Sequence, residues 1–87
     1  MIELKYFYEN WSSYCKKESK VLEQLLKLYP KLTFTKIEGW KNPEELIKYR
    51  IKGVPTVIIE KDGIIIDKVI GGGPLSFYIN IISKIYE

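Results

Sequence analysis

The chain has 87 residues, 46% hydrophobic and 14% aromatic, and its 14 Lys and Arg against 11 Asp and Glu give a net charge of +3. This length has room for one hydrophobic core, so we expect a single domain over residues 1–87. The lone Cys excludes an internal disulfide, and the absence of His excludes imidazole-based hydrolytic triads and the commonest zinc ligand. We therefore expect no metal and no other cofactor.

The N-terminal part of the chain predicts a strand, a helix and a second strand. Residues 2–8 are rich in aromatic and branched side chains, which is typical of a largely buried strand. Apolar residues then recur at spacings of three, four and seven up to Pro30, which indicates an amphipathic helix that ends before this proline. Ser12 or Ser13 is the expected N-cap. Imperfect alternation over residues 32–37 favours a second strand.

A short second helix is predicted next. Asn42 is a good capping residue, Pro43 suits the first helical position, and the two Glu residues that follow lie where the helix dipole favours acids. This helix should run to about Arg50.

The C-terminal part predicts a β-hairpin and a last helix. Residues 54–59 and 64–70 are both strand-like. The dipeptide Asp62-Gly63 between them suits the positive φ angles of a type I′ turn. After a run of three glycines, Pro74 can start a helix with one apolar face.

The predicted order is therefore β-α-β-α-β-β-α. A helix joins the first two strands, so they should be parallel through a right-handed crossover, whereas a tight hairpin makes the last two antiparallel. We expect an α/β fold with a four-stranded mixed sheet and helices on both faces.

Cys15 is the first candidate for chemistry. It lies near the predicted N-terminus of the first helix, where the helix dipole and the nearby Lys16, Lys17 and Lys20 would favour a thiolate if the sulfur were accessible. The alternative is a small buried hydrophobe, because free Cys is among the most buried residue types. Position alone favours this alternative.

Pro55 is the second candidate, because it lies within a strong strand pattern although proline cannot donate a ladder hydrogen bond. It is either a simple strand-opening residue or part of a cis Val54-Pro55 bond. The cis form would turn the backbone of Val54 outward and leave its polar groups free to pair with an extended peptide. The residues alone leave both interpretations open.

The Trp-x-x-x-Cys arrangement of Trp11 and Cys15, and the run Gly53-Val54-Pro55 before a hairpin, resemble the thioredoxin family. The resemblance covers nearly the whole chain but lacks the extra N-terminal strand and helix of a full-length thioredoxin. It implies a minimal, glutaredoxin-sized thioredoxin fold.

The resemblance also implies a redox site. Trp11 matches the tryptophan before the family's redox pair, and Cys15 matches the second, resolving cysteine of that pair. Pro55 matches the cis-proline beside the pair, and Gly71 matches a glycine that lines the substrate groove. Together with Val54, these are the expected catalytic and substrate-binding positions.

The chain departs from the family pattern at three places. Ser12 stands where the family has its nucleophilic cysteine, Tyr6 where thioredoxins often bury an acid, and Ser13-Tyr14 where Gly-Pro is usual. Disulfide exchange needs a thiolate nucleophile and a second thiol that resolves the mixed disulfide, so we expect impaired turnover. Ser12 is expected to cap the helix or to donate a hydrogen bond to a Cys15 thiolate.

The resemblance thus implies a thiol-disulfide oxidoreductase that acts on protein thiols or disulfides, with glutathione as a further candidate partner. Ser12 is either an introduced replacement of cysteine or a natural loss of redox turnover. The alternative function is a non-catalytic module that binds a peptide in the groove beside Pro55.

The remaining expectations concern location and other partners. The Lys residues alternate with Glu, so we expect no nucleic-acid partner. The sequence has no apolar run long enough to span a bilayer and no apolar centre typical of a signal peptide. We therefore expect a cytoplasmic monomer without membrane contact.

Overall fold

The computed structural model describes residues 1–86 and contains the predicted elements in the predicted order. A 3₁₀ turn at Gly39–Lys41 is the one short element in this part of the chain that was not predicted. No helix within residues 1–86 is long and apolar enough to cross a membrane. The strands and helices are β1 (Ile2–Tyr8), α1 (Ser13–Leu28), β2 (Thr33–Glu38), α2 (Pro43–Lys48), β3 (Thr56–Lys61), β4 (Ile64–Ile70) and α3 (Leu75–Tyr86).

The four strands form one mixed sheet in the order β2-β1-β3-β4. β1 runs parallel to β2 and antiparallel to β3, and β3 runs antiparallel to β4. Asp62 and Gly63 have φ angles of 52° and 83°, the left-handed values that a tight hairpin turn requires. The predicted mixed sheet and hairpin are confirmed.

Helices cover both faces of the sheet, as predicted. The larger core lies between the sheet and the two helices α1 and α3, and it takes alternate residues of β1, including Leu4 and Tyr6. Phe7, on the opposite face of β1, packs in a smaller cluster beneath α2. Burying each large apolar side chain contributes about 1.5–3 kcal/mol relative to an exposed one.

Helix α2 is shorter than predicted because its C-terminus closes in a Schellman arrangement. The amide of Arg50 donates to Ile47 O at 3.1 Å, and the amide of Ile51 donates to Leu46 O at 2.8 Å. Arg50 takes the left-handed φ of 54° that this ending requires. The helical hydrogen bonds therefore end at this point.

Asn42 is the N-cap residue of α2, as predicted, but its side chain does not form the cap hydrogen bond. Asn42 Nδ2 donates to Glu38 O at 2.8 Å and makes no cap bond to the helix. The main-chain carbonyl of Asn42 accepts the first helical bonds, from Glu45 N and Leu46 N.

β3 begins at Thr56, two residues later than predicted. The Val54–Pro55 peptide bond is cis, and Pro55 has no amide hydrogen for the ladder. The Oγ1 of Thr56 donates to Gly53 O at 2.7 Å and closes the turn that leads into the strand. The segment before Thr56 therefore lies outside the sheet.

Candidate functional site

Ser12 is the N-cap of α1, one of its two expected roles. Its Oγ accepts a hydrogen bond from the amide of Cys15 at 3.3 Å, while its own amide donates to Glu9 O at 3.2 Å. A serine in extended conformation that binds the amide three residues on satisfies one of the orphan donors of the first turn. Ser12 is itself buried, so this turn is well fixed.

Cys15 is a free, buried thiol in the first turn of α1. Only 2% of its surface is exposed, which corresponds to the buried alternative. A reagent or partner disulfide can therefore reach the sulfur only after local movement of the chain.

Tyr6 lies beneath this turn, and it stands where the resemblance indicates that thioredoxins often bury an acid. Its hydroxyl donates to Cys15 O at 2.7 Å and lies 2.9 Å from Ser19 Oγ. Burial raises the pKa of Tyr6 to about 12, so the group is a neutral donor at physiological pH. A buried hydroxyl, and not a carboxylate, thus supports the first turn of α1 from below.

Trp11, Ser12 and Val54 line one cavity of about 410 Å³, which we call the groove. The side chain of Trp11, which lies at the edge of the groove, is 78% exposed. No backbone hydrogen bond found within residues 1–86 uses the amide or the carbonyl of Val54, so both are free to pair with an incoming chain. The other residues that line the groove are Glu9, Tyr14, Leu46, Ile51, Lys52 and Gly53.

Gly71 is joined to Pro55 by a backbone hydrogen bond, from Gly71 N to Pro55 O at 2.8 Å. Gly71 also lines a second cavity of about 330 Å³, which it shares with Tyr14 and Glu18. Tyr14 lines both cavities.

Glu18 was missed by sequence reasoning, although it is buried one turn after Cys15. Its Oε2 accepts hydrogen bonds from the amide of Gly73 at 3.0 Å and from the hydroxyl of Tyr78. Burial and the bond to Glu18 raise the pKa of Tyr78. An acid at helical spacing from Cys15, on the apolar face of α1, is the sequence signal that could have identified it.

Glu9 was also missed. It lines the groove, and its buried Oε1 has no hydrogen-bond partner among the residues that the structure describes. Its carboxylate lies against Gly39, where an added Cβ would come within 2.5 Å of Oε2. No local sequence pattern indicates this contact, because it joins the end of β1 to the turn after β2.

Among residues 1–86, no cluster of three or more acidic or Cys side chains is arranged to hold a metal ion. The site instead combines a helix N-terminus that carries a buried thiol with a cis-proline turn at the start of a neighbouring antiparallel strand. This combination, on a β2-β1-β3-β4 sheet with helices on both faces, defines the thioredoxin-fold class.

Comparisons with known proteins place the chain within that class. Residues 2–84 match the Thioredoxin family model. Thioredoxin from Staphylococcus aureus is 33% identical over 84 residues, which cover 95% of this chain and 81% of that relative. The chain belongs to the thioredoxin family.

Solved structures agree with this assignment. Mitochondrial thioredoxin 3 from Saccharomyces cerevisiae superposes with a TM-score of 0.85 and 28% identity, covering 94% of this chain and 77% of that one. A mutant thioredoxin from Halobacterium salinarum gives a TM-score of 0.85 and 25% identity, covering 95% of this chain and 73% of that one. Both the sequence and the backbone therefore support a thioredoxin-like redox function.

Proposed function

We propose that this chain is a single-domain thiol-disulfide oxidoreductase of the thioredoxin type that engages partner proteins in the groove and whose turnover is impaired by Ser12. The partners are protein thiols or disulfides, with glutathione as a further candidate. We also propose that the protein acts in the cytoplasm and as a monomer.

The observation that carries the proposal is that residues from two separate parts of the chain, before α1 and before β3, line one groove. Trp11, Ser12 and Val54 line it, and the residue after Val54, Pro55, accepts a hydrogen bond from the amide of Gly71. Fold alone would not justify a redox function, since one fold supports many activities. The thiol at the helix start, the groove and the family membership together support it.

Ser12 limits the thiol-disulfide exchange that this chain can perform. In disulfide exchange, a thiolate attacks one sulfur of the target, and a second thiol then attacks the mixed disulfide and releases the reduced target. A serine hydroxyl cannot form the mixed disulfide, and Cys15 has no second thiol in the chain to complete the cycle. Cys15 could form one mixed disulfide, but the cycle would stop there.

The substitution Ser12→Cys tests the proposal. It should create a dithiol with Cys15 and give reduction of insulin disulfides at least about tenfold above the unmodified chain, because a thiolate at this position starts the exchange. The double variant Ser12→Cys/Cys15→Ser keeps one thiol and should show no turnover. A folded Ser12→Cys variant without reductase activity would refute the redox assignment.

The burial of Cys15 favours a second candidate, a non-catalytic module that holds a peptide in the groove. Incubation of the unmodified chain with oxidised glutathione separates the two. The Cys15 thiolate would attack one glutathione sulfur, form the mixed disulfide and release a glutathione thiolate. Ready formation of this adduct near neutral pH supports the oxidoreductase, whereas a thiol that reacts only after unfolding supports the binding module.

A further inference from the structure

A third cavity, of about 270 Å³, opens beside the groove and has a strongly basic lining. Arg50, Lys52 and Lys68 contribute to it, together with Gly53, Thr56 and Ile70. None of these lining residues is acidic. We call it the basic cavity.

Hydrogen bonds between β4 and the C-terminal end of α2 hold Lys68 in this cavity. The Nζ of Lys68, from β4, donates to Tyr49 O at 3.1 Å and to Arg50 O at 3.0 Å. These carbonyls belong to the C-terminal end of α2, where a cation is favourable to the helix dipole. Lys68 therefore holds the end of α2 against the edge strand, next to Arg50.

Within residues 1–86, no acidic side chain forms an ion pair with the cations of the basic cavity. The ion pairs found within residues 1–86 join Met1 to Asp62, Lys5 to Glu60 and Lys41 to Glu38, and none includes Arg50, Lys52 or Lys68.

The acids of β3 and β4 are Glu60 and Asp67, and neither forms an ion pair with the side chain of Lys68. The carboxylate of Asp67 accepts the main-chain amide of Lys68 at 2.8 Å, and Glu60 on the adjacent strand pairs with Lys5 at 3.3 Å. Cations that share one concavity repel each other, and an oxyanion placed among them relieves that repulsion.

The basic cavity and the groove share two lining residues. Lys52 and Gly53 line both, and Val54 follows directly with its free amide and carbonyl. A segment that pairs with Val54 in extended conformation advances about 3.3 Å per residue. Because Gly53, the residue before Val54, lines the basic cavity, we expect a residue that flanks the paired one to lie near this cavity.

We propose that the basic cavity binds an acidic side chain of the partner segment that occupies the groove, so that this chain selects partners with Asp or Glu flanking the paired residues. The inference rests on the proposed use of the groove. It adds a substrate class, which neither the family membership nor the groove defines.

The experiment measures the affinity of the unmodified chain for six-residue peptides with an apolar centre, by titration of its ¹⁵N amide signals. Glu is scanned through the peptide positions, and each peptide has a Gln-containing match. At one flanking position we expect the Glu peptide to bind about fivefold tighter than its Gln match, the size of a few exposed ion pairs. The preference should shrink when NaCl rises from about 30 mM to about 300 mM, because salt screens exposed charges.

The variant Arg50→Gln should lose most of this preference and still bind the Gln peptide, because Arg50 lines the basic cavity and is not among the residues that line the groove. The variant Lys27→Gln removes the same net charge at an exposed helix position and should keep the preference. Equal binding of Glu and Gln peptides to the unmodified chain overturns the inference and leaves the use of the groove intact. A preference that both variants lose equally also overturns it, since net charge would then be the cause.

Two further outcomes would each overturn the proposal. If inorganic phosphate shifts the amide signals of the basic cavity but no Glu peptide is preferred, the cavity takes free anions and the proposal is wrong. If no peptide binds at all, the groove proposal fails together with this one, whereas the reductase assay of Ser12→Cys reports on the redox function separately.

Discussion

The hydroxyl of Tyr6 and the carbonyl oxygen of Cys15 form a buried hydrogen bond of 2.7 Å that joins β1 to the first turn of α1. The same hydroxyl lies 2.9 Å from Ser19 Oγ, one turn further along the helix. The start of α1, where the family carries its redox pair, is thus held from below by a neutral phenol. The protonation of this phenol should therefore affect the stability of the fold.

We expect the stability of the chain to fall steeply at alkaline pH, and the substitution Tyr6→Phe to remove part of that fall. Burial raises the pKa of Tyr6 to about 12 from its ordinary 10.0, so the folded state holds this proton more tightly than the unfolded state does. The associated stability is complete below about pH 10 and is lost as pH rises through about 12. Urea unfolding at a series of pH values measures the slope.

Tyr78 contributes to the same slope, because its pKa is raised too, so Tyr6→Phe should flatten the curve only partly. The matched control is Tyr14→Phe, since Tyr14 is 75% exposed. If Tyr6→Phe and the unmodified chain show the same pH dependence, the buried phenol is not the titrating group. At neutral pH the substitution should also cost about 1–3 kcal/mol, because Cys15 O loses its donor.

Replacement of Glu18 should destabilise the junction between α1 and the loop before α3. Glu18→Ala leaves the Tyr78 hydroxyl and the Gly73 amide without their acceptor, and each such loss costs about 1–3 kcal/mol. Glu18→Gln keeps a carbonyl oxygen at the same place and should cost clearly less. Equal free energies of unfolding for the two variants, measured in urea, would contradict the role of the hydrogen bonds.

Gly72 and Gly71 form a matched pair for testing the close approach to Glu18. Both have positive φ, 78° and 79°, so an alanine at either position carries the left-handed penalty of about 1–2 kcal/mol. An added Cβ at Gly72 would also come within 2.6 Å of the Glu18 carboxylate, whereas one at Gly71 meets no atom of residues 1–86 within 4 Å. Gly72→Ala should therefore unfold at lower urea concentration than Gly71→Ala, and the reverse order would argue against this packing.

Loss of the helix cap should be visible at Ser12. Ser12→Ala removes the oxygen that accepts the Cys15 amide and should lower the free energy of unfolding by about 1 kcal/mol. Ser12→Asp keeps a capping oxygen and adds a charge that the helix dipole favours, so it should recover most of that loss. If Ser12→Ala were as stable as the unmodified chain in thermal or urea unfolding, the cap would not contribute to the free energy of unfolding.

Local patterns in the sequence determined the order of the elements, the bounds of β1 and β4, and the hairpin turn at Asp62-Gly63. Alternation, helical periodicity and turn chemistry are properties of neighbouring residues, so they can be read without knowledge of the fold. They also indicated Ser12 as a cap. The resemblance to the family supplied Trp11 and Gly71, for which no local physical rule exists.

Tertiary structure alone decided which charged groups became buried or converged. Glu18 meets Gly73 and Tyr78 across 55 and 60 residues of chain, and Lys68 meets the end of α2 across 18. Such contacts depend on how strands and helices pack, and a one-dimensional pattern contains no signal for them. The sequence by itself therefore predicted the frame of the site, and the packing of that frame determined the environment of Cys15 and the basic cavity beside the groove.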